Sequence, residues 1–362
     1  MKTPQLTVAE CRSRQNRLKE VLRELNADQA LLISPENVQW ATGFRPHRLM
    51  QSAAIVSQRD GCTLIAPNEP PPGHAADEVR TFTAQWLCTL RQDQTTAIVE
   101  ALPNRSVVTA VEGSCCGPLL RDAIDGSIID VESELRELRR RKHADELSMM
   151  RHAIACTDAM YRKAREIIRP GISELDVFNQ LHAAAVKVAG EPLTALGNDY
   201  QSNSPGGPPR PRATQAGELL ILDLGPAYRG YYADNCRTFS VDGNPTDIQL
   251  QARDVILGVF DIVRSGVRPG ASCRELFAEC KAVLDAYRPG AFFHHLGHGV
   301  GLYPHEAPHL NPHWDDVFEV GDVFTVEPGL YAEDLRAGIR IEENFVVTGD
   351  GVEQLTSTST EL

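Results

Sequence analysis

A short motif that occurs twice decides the fold. It reads Arg169-Pro170-Gly171-Ile172-Ser173 in its first copy and Arg268-Pro269-Gly270-Ala271-Ser272 in its second. A helical stretch precedes each copy, over residues 145–168 and 246–266. Pro-Gly ends that helix, and the serine offers an oxygen that caps a second helix, over residues 174–188 and 273–287.

Each helix pair leads to an apolar strand that opens with glycine and an acid and ends in a carboxylate. The strands run from Gly217 to Asp223 and from Gly321 to Glu327, and each is followed by a turn and a returning strand with a further carboxylate. A duplicated helix–helix–hairpin unit predicts pseudo-twofold symmetry, with both hairpins in one curved antiparallel sheet. The second part of the chain is therefore predicted to be an α+β domain.

The first part of the chain alternates helix-like and strand-like stretches, which predicts an α/β domain. Residues 14–25 have the apolar spacing of a helix. Dense charge over residues 132–141 predicts a solvated linker helix. The predicted domains are therefore residues 1–138 and 139–362. The strands predicted in the first of them are residues 30–34, 53–57, 62–66 and 106–111.

Composition and charge exclude several classes of protein. The 362 residues include 36 Lys and Arg and 49 Asp and Glu, a formal net charge of −13. This balance argues against a general binder of nucleic acid or of anionic membranes, because phosphate contacts need a basic surface. No apolar run approaches the roughly 18 residues of a membrane span, and residues 1–20 lack the apolar core of a signal peptide. The nine cysteines include no CxxC pair and read as reduced thiols, so a cytoplasmic protein is expected.

The first hairpin carries a pair of aspartates. Asp223 and Asp234 flank a turn whose midpoint falls at Tyr228-Arg229, beside Gly230, which sets the two side chains opposite each other on paired strands. Their neighbours are apolar or aromatic, and two facing carboxylates in a half-buried sheet repel each other unless a cation neutralises them. The alternative is a pair of exposed turn aspartates.

The second hairpin repeats this pattern with glutamates. Glu327 ends one strand, and the return strand alternates so that Arg340 and Glu342 share a face while the flanking isoleucines share the other. A surface edge strand is the alternative for Glu342. Four histidines within 12 residues lie between the hairpins, interleaved with glycines that let the backbone approach a ligand, and the alternative for them is a mobile surface loop. They are His294, His295, His298 and His305.

Four carboxylates and one imidazole predict a metal centre. Oxygen-rich ligation with a single histidine suits Mn, Fe, Co or Zn better than a thiolate site would. One divalent ion would leave a charge of −2 in a poorly solvated site, whereas two ions balance the four carboxylates. Two ions at about 3.5–4 Å activate water and stabilise charge on an attacked carbonyl.

These residues resemble those of a known family, the pita-bread metallohydrolases, which include Xaa-Pro aminopeptidase, prolidase, methionine aminopeptidase and creatinase. The resemblance covers nearly the whole chain and implies a pita-bread fold for the second domain. Residues 33–44 are similar to the creatinase-type N-terminal domain. The matches in the second domain are residues 222–225, 233–239, 297–301, 305–308, 326–329 and 340–343.

The resemblance implies a role for each candidate residue. Asp223 would bind one metal ion, His298 and Glu327 the other, and Asp234 and Glu342 both. Glu327 would also handle the proton of the nucleophilic water. The substrate-side residues would be His294, His305 and Arg340. Of these, His305 would stabilise the tetrahedral intermediate, and Arg340 would support the carboxylate network. Creatinase lacks the metal ligands and this chain keeps them, which favours a metal-dependent hydrolase.

The chain departs from the family pattern at one place. Family peptidases carry a further histidine about 17 residues before the first aspartate, where this chain has Gly206. One hypothesis is that Arg210 or Arg212 reaches the pocket and binds an anionic group such as a C-terminal carboxylate. The alternative is a flexible proline-rich loop with solvated arginines.

The leading interpretation is a cytoplasmic dinuclear-metal Xaa-Pro aminopeptidase or Xaa-Pro dipeptidase that cleaves the bond before proline through a metal-bridging hydroxide. Manganese is the first choice, with Co, Zn or Fe as alternatives. The family implies a homodimer, and the expected partners are a peptide or small-molecule substrate, with no nucleic acid and no membrane. Two alternatives are a metal-dependent enzyme of the same fold with a small non-peptide substrate, and a non-catalytic binding module.

Overall fold

The computed structural model describes residues 3–84 and 93–362. Internal contacts define two compact units: the first holds Met1–Arg139 and His143–Asp145, and the second holds Arg140–Lys142 and Glu146–Leu362. The domain limits predicted above, 1–138 and 139–362, stay a prediction. Eight cysteines in the described ranges are free thiols, and the interpretation of Cys88 as reduced lies outside the described residues.

A mixed sheet organises the first unit. If the strands are numbered in chain order, they lie side by side in the order 4-3-2-1-5-6. The pairs 3-2 and 2-1 are antiparallel, and the other pairs are parallel. Helices lie between the strands in sequence, so the predicted α/β architecture of this part is confirmed. In chain order the elements are α1 (Val8–Glu24), β1 (Gln29–Leu32), α2 (Pro35–Thr42), β2 (Ala53–Ser57), β3 (Gly61–Pro67), β4 (Glu78–Phe82), α3 (Gln94–Ala101), β5 (Thr109–Val111), α4 (Pro118–Ala123), β6 (Ile128–Asp130) and α5 (Glu132–Arg140).

The remaining chain repeats one unit of two helices followed by strands. None of the helices in the described ranges combines the length and the apolar character that crossing a bilayer requires. The first copy contains α6 (Ala144–Ile167), α7 (Glu174–Ala189), β7 (Leu219–Leu224), β8 (Ala227–Tyr228), β9 (Tyr231–Tyr232) and β10 (Asn235–Ser240). The second contains α8 (Asp247–Gly266), α9 (Cys273–Tyr287), β11 (Gly297–Gly299), β12 (Glu306–Leu310), β13 (Val323–Val326), β14 (Gly329–Leu330), a 3-10 turn (Glu333–Leu335), β15 (Ile339–Arg340), β16 (Glu343–Val347) and β17 (Val352–Gln354).

The repeated motif makes the same local contacts in both copies. Ser173 accepts a hydrogen bond from the backbone of Asp176 at 3.0 Å, and Ser272 accepts one from Glu275 at 3.2 Å, so each serine caps its helix. Gly171 and Gly270 each donate a backbone hydrogen bond of 2.8 Å, to the carbonyl of Thr214 before β7 and to that of Phe318 before β13. The predicted duplication is therefore confirmed in its contacts as well as in its sequence.

The two hairpins belong to separate sheets by strand pairing, but they meet edge to edge through hydrogen bonds. The backbone N–H of Glu342 donates to the carbonyl of Cys236 at 3.0 Å, and the N–H of Arg340 donates to the hydroxyl of Thr238 at 3.0 Å. Behind the second hairpin, α8 and α9 pack on an apolar cluster that includes Phe345 and Ile341. This core fixes one face of the strands and leaves the other face free for polar side chains.

Candidate metal centre

The first hairpin places its two aspartates on the same face, but they are diagonal neighbours rather than a directly paired set. Asp223 pairs with Cys236, and the turn that joins the strands consists of Arg229 and Gly230, with φ of 47° and 87°. A two-residue hairpin turn of this kind needs positive φ at both central residues, which moves its centre one residue beyond the predicted midpoint. The prediction that Asp223 and Asp234 lie directly opposite each other is therefore wrong, although both side chains still point to the same side.

The second hairpin sets two glutamates across from each other. Val326 pairs with Glu343 and Gly329 pairs with Arg340, so the same register puts Glu327 opposite Glu342. The isoleucines on either side of Arg340 are buried in the apolar core. Arg340 and Glu342 therefore face away from that core, as the alternation of the strand predicts.

His298 brings the two hairpins together. Its Nε2 lies 3.5 Å from Glu327 Oε1 and 3.7 Å from Asp234 Oδ2. Its Nδ1 lies 3.0 Å from the carbonyl of Gly299, a distance that suits an Nδ1–H donor and leaves Nε2 as the ligand atom. Strand β11 holds this ring in place, and the side chain is buried.

Three overlapping groups of ligand atoms form the centre, and within each group the atoms lie within 4.8 Å of one another. Asp234 and His298 each belong to two of these groups, so the groups connect and the five predicted ligands lie next to one another. The groups are Asp223, Asp234 and Glu342; His295, His298 and Glu327; and Asp234, His298 and His305.

Several of these oxygens are buried without a partner, which is the signature of a cation site. Oδ1 of Asp223 and both carboxylate oxygens of Glu342 are inaccessible to solvent and make no hydrogen bond. An unsatisfied buried polar atom costs about 1–3 kcal/mol, and more when the group is charged. A divalent ion would satisfy all three oxygens, and a set of carboxylates with one imidazole fits Mn, Fe, Co or Zn.

The carboxyl groups differ in their ionisation. Burial, together with the neighbouring carboxylates, raises the pKa of Asp223 to about 6 and the pKa values of Asp234 and Glu342 well above their usual range. Burial acts on Glu327 in the same direction, but hydrogen bonds from His295 and His298 outweigh it and lower its pKa well below the usual value. Without a cation the centre thus holds Glu327 ionised and favours protons on Asp234 and Glu342, whereas Asp223 loses its proton between about pH 6 and pH 7.

Arg340 connects the carboxylates to the surrounding chain. Its guanidinium donates to Asp223 Oδ2 at 2.9 Å, to the hydroxyl of Tyr331 at 3.0 Å and to the carboxylate of Asp199. The side chain is 9% exposed. This arrangement fits the support of the carboxylate network that the family resemblance implies.

The two predicted substrate histidines lie next to these groups. The ring of His305 stacks on the ring of His298 with centroids 3.8 Å apart, and its own burial and the charge of His298 lower the pKa of His305 to about 4. His294 Nε2 lies 3.0 Å from the hydroxyl of Tyr331, and burial lowers its pKa. Both imidazoles are therefore neutral at pH 7, and their contact with substrate stays a prediction.

Three neighbours of the centre had no role in the sequence analysis. His295 Nε2 lies 2.7 Å from Glu327 Oε1, and Asp199 and Tyr331 both bond Arg340. His295 stood among the four histidines, whose spacing gave no reason to choose it. Asp199 and Tyr331 come from loops with no motif, so the sequence offered no signal for them.

The space that a side chain at residue 206 would enter already holds the side chain of Asp199. A Cβ atom at this residue would lie 2.4 Å from Asp199 Oδ2. A histidine here would therefore displace the carboxylate that bonds Arg340. The chain therefore has no room for a side chain at residue 206 unless Asp199 shifts.

Arg210 and Arg212 bind side chains of the protein itself. Arg210 donates to both oxygens of the buried Glu174, at 2.6 and 2.9 Å, and Arg212 donates to Glu218 at 2.9 Å and to Ser202 at 2.6 Å. Their donors are used on these partners, so the hypothesis that either arginine binds a substrate anion is not supported. The alternative of solvated arginines describes them only in part, because both side chains are ion-paired although 37% and 30% exposed.

Comparisons with known proteins agree with the two-domain fold. Residues 148–349 match the model of metallopeptidase family M24, and residues 14–140 match that of the creatinase/prolidase N-terminal domain. The Xaa-Pro dipeptidase of Pyrococcus furiosus is 27% identical over 359 residues, which cover 97% of this chain and 99% of that protein. The solved prolidase from Pyrococcus furiosus has a TM-score of 0.80 at 25% identity, covering 94% and 99% of the two chains. The Xaa-Pro dipeptidase from Bacillus anthracis, with a TM-score of 0.82 at 24% identity over 97% and 99%, has the same fold.

Proposed function

The chain belongs to metallopeptidase family M24, and from this premise we propose that it is an Xaa-Pro peptidase, a dipeptidase or an aminopeptidase, that works with two divalent metal ions. Relatives named Xaa-Pro dipeptidase and prolidase, similar over nearly their whole length, support the substrate class. The alternative of a non-catalytic binding module is not supported, because the family is one of metallopeptidases and the candidate ligands are all retained.

The observation that carries the proposal is the set of unpartnered buried oxygens on Asp223 and Glu342. We assign Asp223 to one ion, His298 and Glu327 to the other, and Asp234 and Glu342 to both. Manganese is the proposed metal, with Co, Zn and Fe as alternatives that share this ligand chemistry. Two bound ions would activate water to a hydroxide and polarise the scissile carbonyl.

The protein groups around the ions have separate tasks in this proposal. Glu327 is held ionised by His295 and His298, so it can accept the proton of the attacking water and return it to the leaving nitrogen. His305 presents a neutral imidazole, which donates a hydrogen bond to the oxygen on which charge develops. Arg340 holds the carboxylate of Asp223 at a fixed distance and keeps its orientation.

A second candidate function follows from Asp199 beside Gly206. The carboxylate of Asp199 lies beside Gly206, the position at which the sequence pattern of the family peptidases has a histidine, and it is 18% exposed. A carboxylate repels an anionic substrate group that a neutral imidazole would accept. This difference favours either longer Xaa-Pro peptides over free dipeptides or a small non-peptide substrate.

Three further features belong to the proposal. We take the domain limits as residues 1–138 and 139–362, which lie close to the division into two compact units. A homodimer and a cytoplasmic location are retained from the sequence analysis. The free thiols in the described residues fit a reducing compartment.

The test combines metal uptake with turnover. Protein stripped with a chelator is reloaded with Mn, Co, Zn or Fe and offered Xaa-Pro dipeptides and Xaa-Pro-Yaa peptides, with the products separated by chromatography. We expect two ions per chain and cleavage before proline. Glu342→Gln should lose both, whereas Asp261→Asn, whose side chain is 82% exposed on α8, should lose neither.

The outcomes separate the candidates. A folded protein that binds no transition metal would contradict the dinuclear centre. Stoichiometric metal uptake without cleavage of any Xaa-Pro peptide would favour the small non-peptide substrate. Cleavage of tripeptides but not of dipeptides would identify an aminopeptidase and support the repulsion attributed to Asp199.

A further inference from the structure

The last part of the described chain runs behind the candidate metal centre. We propose that residues 355–359, here called the C-terminal segment, hold the two bridging ligands, Asp234 and Glu342, in place through Arg237 and Asn344. The inference rests on the proposed function, because it takes these two carboxylates as metal ligands. It adds a positioning role to residues 355–359, which lie outside every motif considered above.

Arg237 is the first connection. Its side chain is 1% exposed, and its Nη1 donates to the backbone carbonyl of Glu342 at 2.7 Å. Its Nη2 donates to the carbonyl of Thr358 at 2.9 Å, and its Nε donates to the carbonyl of Ser359 at 3.2 Å. One buried guanidinium therefore joins the backbone of a proposed bridging ligand to the C-terminal segment.

Asn344 is the second connection. Its side-chain oxygen accepts from the backbone N–H of Asp234 at 3.3 Å, and its amide nitrogen donates to the carbonyl of the same residue. The backbone N–H of Asn344 donates to the hydroxyl of Thr356 at 2.9 Å, and its carbonyl accepts from Leu355 at 2.7 Å. The other bridging ligand is thus joined to the same segment.

The hydroxyl of Thr356 also links the two connections. It donates to the carboxylate of Glu343, whose other oxygen accepts from Arg237 Nη2 at 2.7 Å. These groups are buried, so water cannot replace a partner that is lost. A guanidinium or amide left unsatisfied at this depth would shift toward a new partner and move the backbone that carries the ligand.

The segment is anchored from its outer side as well. Thr358 donates to Asp158 at 2.6 Å, and Arg165 donates to the carbonyls of Ser359 at 3.1 Å and of Glu361 at 2.9 Å. Residues 360–362 make no hydrogen bond to Arg237 or Asn344 among the described residues. A matched pair of truncations can therefore remove the contacts to Arg237 or leave them intact.

The experiment measures metal affinity rather than activity alone. Chains that end at Ser357 and at Ser359 are compared with the full chain, together with Thr356→Val and its conservative partner Thr356→Ser. Mn²⁺ is titrated into chelator-stripped protein in competition with a chromophoric chelator, and circular dichroism at 25 °C reports the fold. Groups that orient metal ligands typically contribute about 10–100-fold to affinity.

We expect the chain ending at Ser357 and Thr356→Val to bind Mn²⁺ about 10–100-fold more weakly than the full chain. Saturating Mn²⁺ should restore most of kcat with little change in KM. The chain ending at Ser359 and Thr356→Ser should stay within about twofold of the full chain, because they keep the hydrogen bonds that reach the ligands.

Unchanged affinity in a folded chain that ends at Ser357 would overturn the inference. If that truncation does not fold, equal affinities of Thr356→Val and Thr356→Ser would overturn it, and a weaker Thr356→Val would support it. A full chain that binds none of Mn²⁺, Co²⁺, Zn²⁺ and Fe²⁺ would remove the proposed function and this inference together. If the full chain binds Mn²⁺ and both the chain ending at Ser357 and Thr356→Val bind it equally well, only this inference would be removed.

Discussion

Replacement of Asp223 by asparagine should stabilise the metal-free protein while it weakens metal binding. Burial raises the pKa of this carboxyl from 3.8 to about 6, despite the charge of Arg340 beside it. One pKa unit corresponds to about 1.4 kcal/mol, so the ionised carboxylate costs the metal-free native state about 3 kcal/mol at neutral pH. An amide of the same shape carries no charge and avoids this cost.

The pH dependence follows from the sign of the shift. Because the folded-state pKa lies above the unfolded one, the cost is absent below about pH 3.8 and grows until about pH 6. In excess chelator we expect Asp223→Asn to match the wild type near pH 4. At pH 7 it should be more stable by about 3 kcal/mol, or about 6–12 °C in Tm for a domain of this size.

Urea unfolding followed by circular dichroism, with chelator and then with saturating Mn²⁺, tests this prediction. Metal that binds only the native state stabilises the wild type by mass action, so the order of the two proteins should reverse when Mn²⁺ is added. Asp261→Asn serves as the control and should behave like the wild type throughout. A variant that is less stable than the wild type at pH 7 in chelator would refute the reasoning.

Three further predictions concern single contacts. Ser272→Ala removes the cap of α9 and should lower the free energy of unfolding by about 1 kcal/mol in a urea titration, and no loss would contradict the capping role. Tyr331→Phe removes hydrogen bonds to His294 and Arg340, so kcat/KM should fall by up to about tenfold, and an unchanged value would show that the hydroxyl does not order these groups. His295→Ala removes a hydrogen bond that favours ionised Glu327, so the acid limb of the kcat/KM profile should move to higher pH; a shift to lower pH would contradict that assignment.

The repeat and the alternation of side chains were enough to predict much of the architecture. The serines at 173 and 272 fixed both helix starts, because a capping side chain acts over three residues and needs no distant partner. The period of two likewise set Arg340 and Glu342 on one face, since the opposite face had to carry isoleucines into the core. Local rules of this kind depend on neighbours in sequence.

The errors came from features that local rules do not determine. The hairpin register depended on whether Arg229 accepts a positive φ, which is uncommon for a residue with a side chain. Arg210 and Arg212 found their partners in Glu174 and Glu218, and Glu174 lies 36 residues before Arg210 along the chain. Asp199 accepts a hydrogen bond from Arg340, which lies 141 residues later in the chain, and no sequence pattern near either residue predicts this contact.

The edge where the two hairpins meet gives the centre a property that neither half has alone. The first half supplies Asp223 and Asp234, the second supplies His298, Glu327 and Glu342, and the hydrogen bond from Glu342 to Cys236 crosses between them. If the connection between residues 240 and 247 were cut, each fragment would keep its own helix pair but only part of the ligand set. Tight Mn²⁺ binding would then return only on fragment complementation, which makes the metal a reporter of whether the two halves have reassembled.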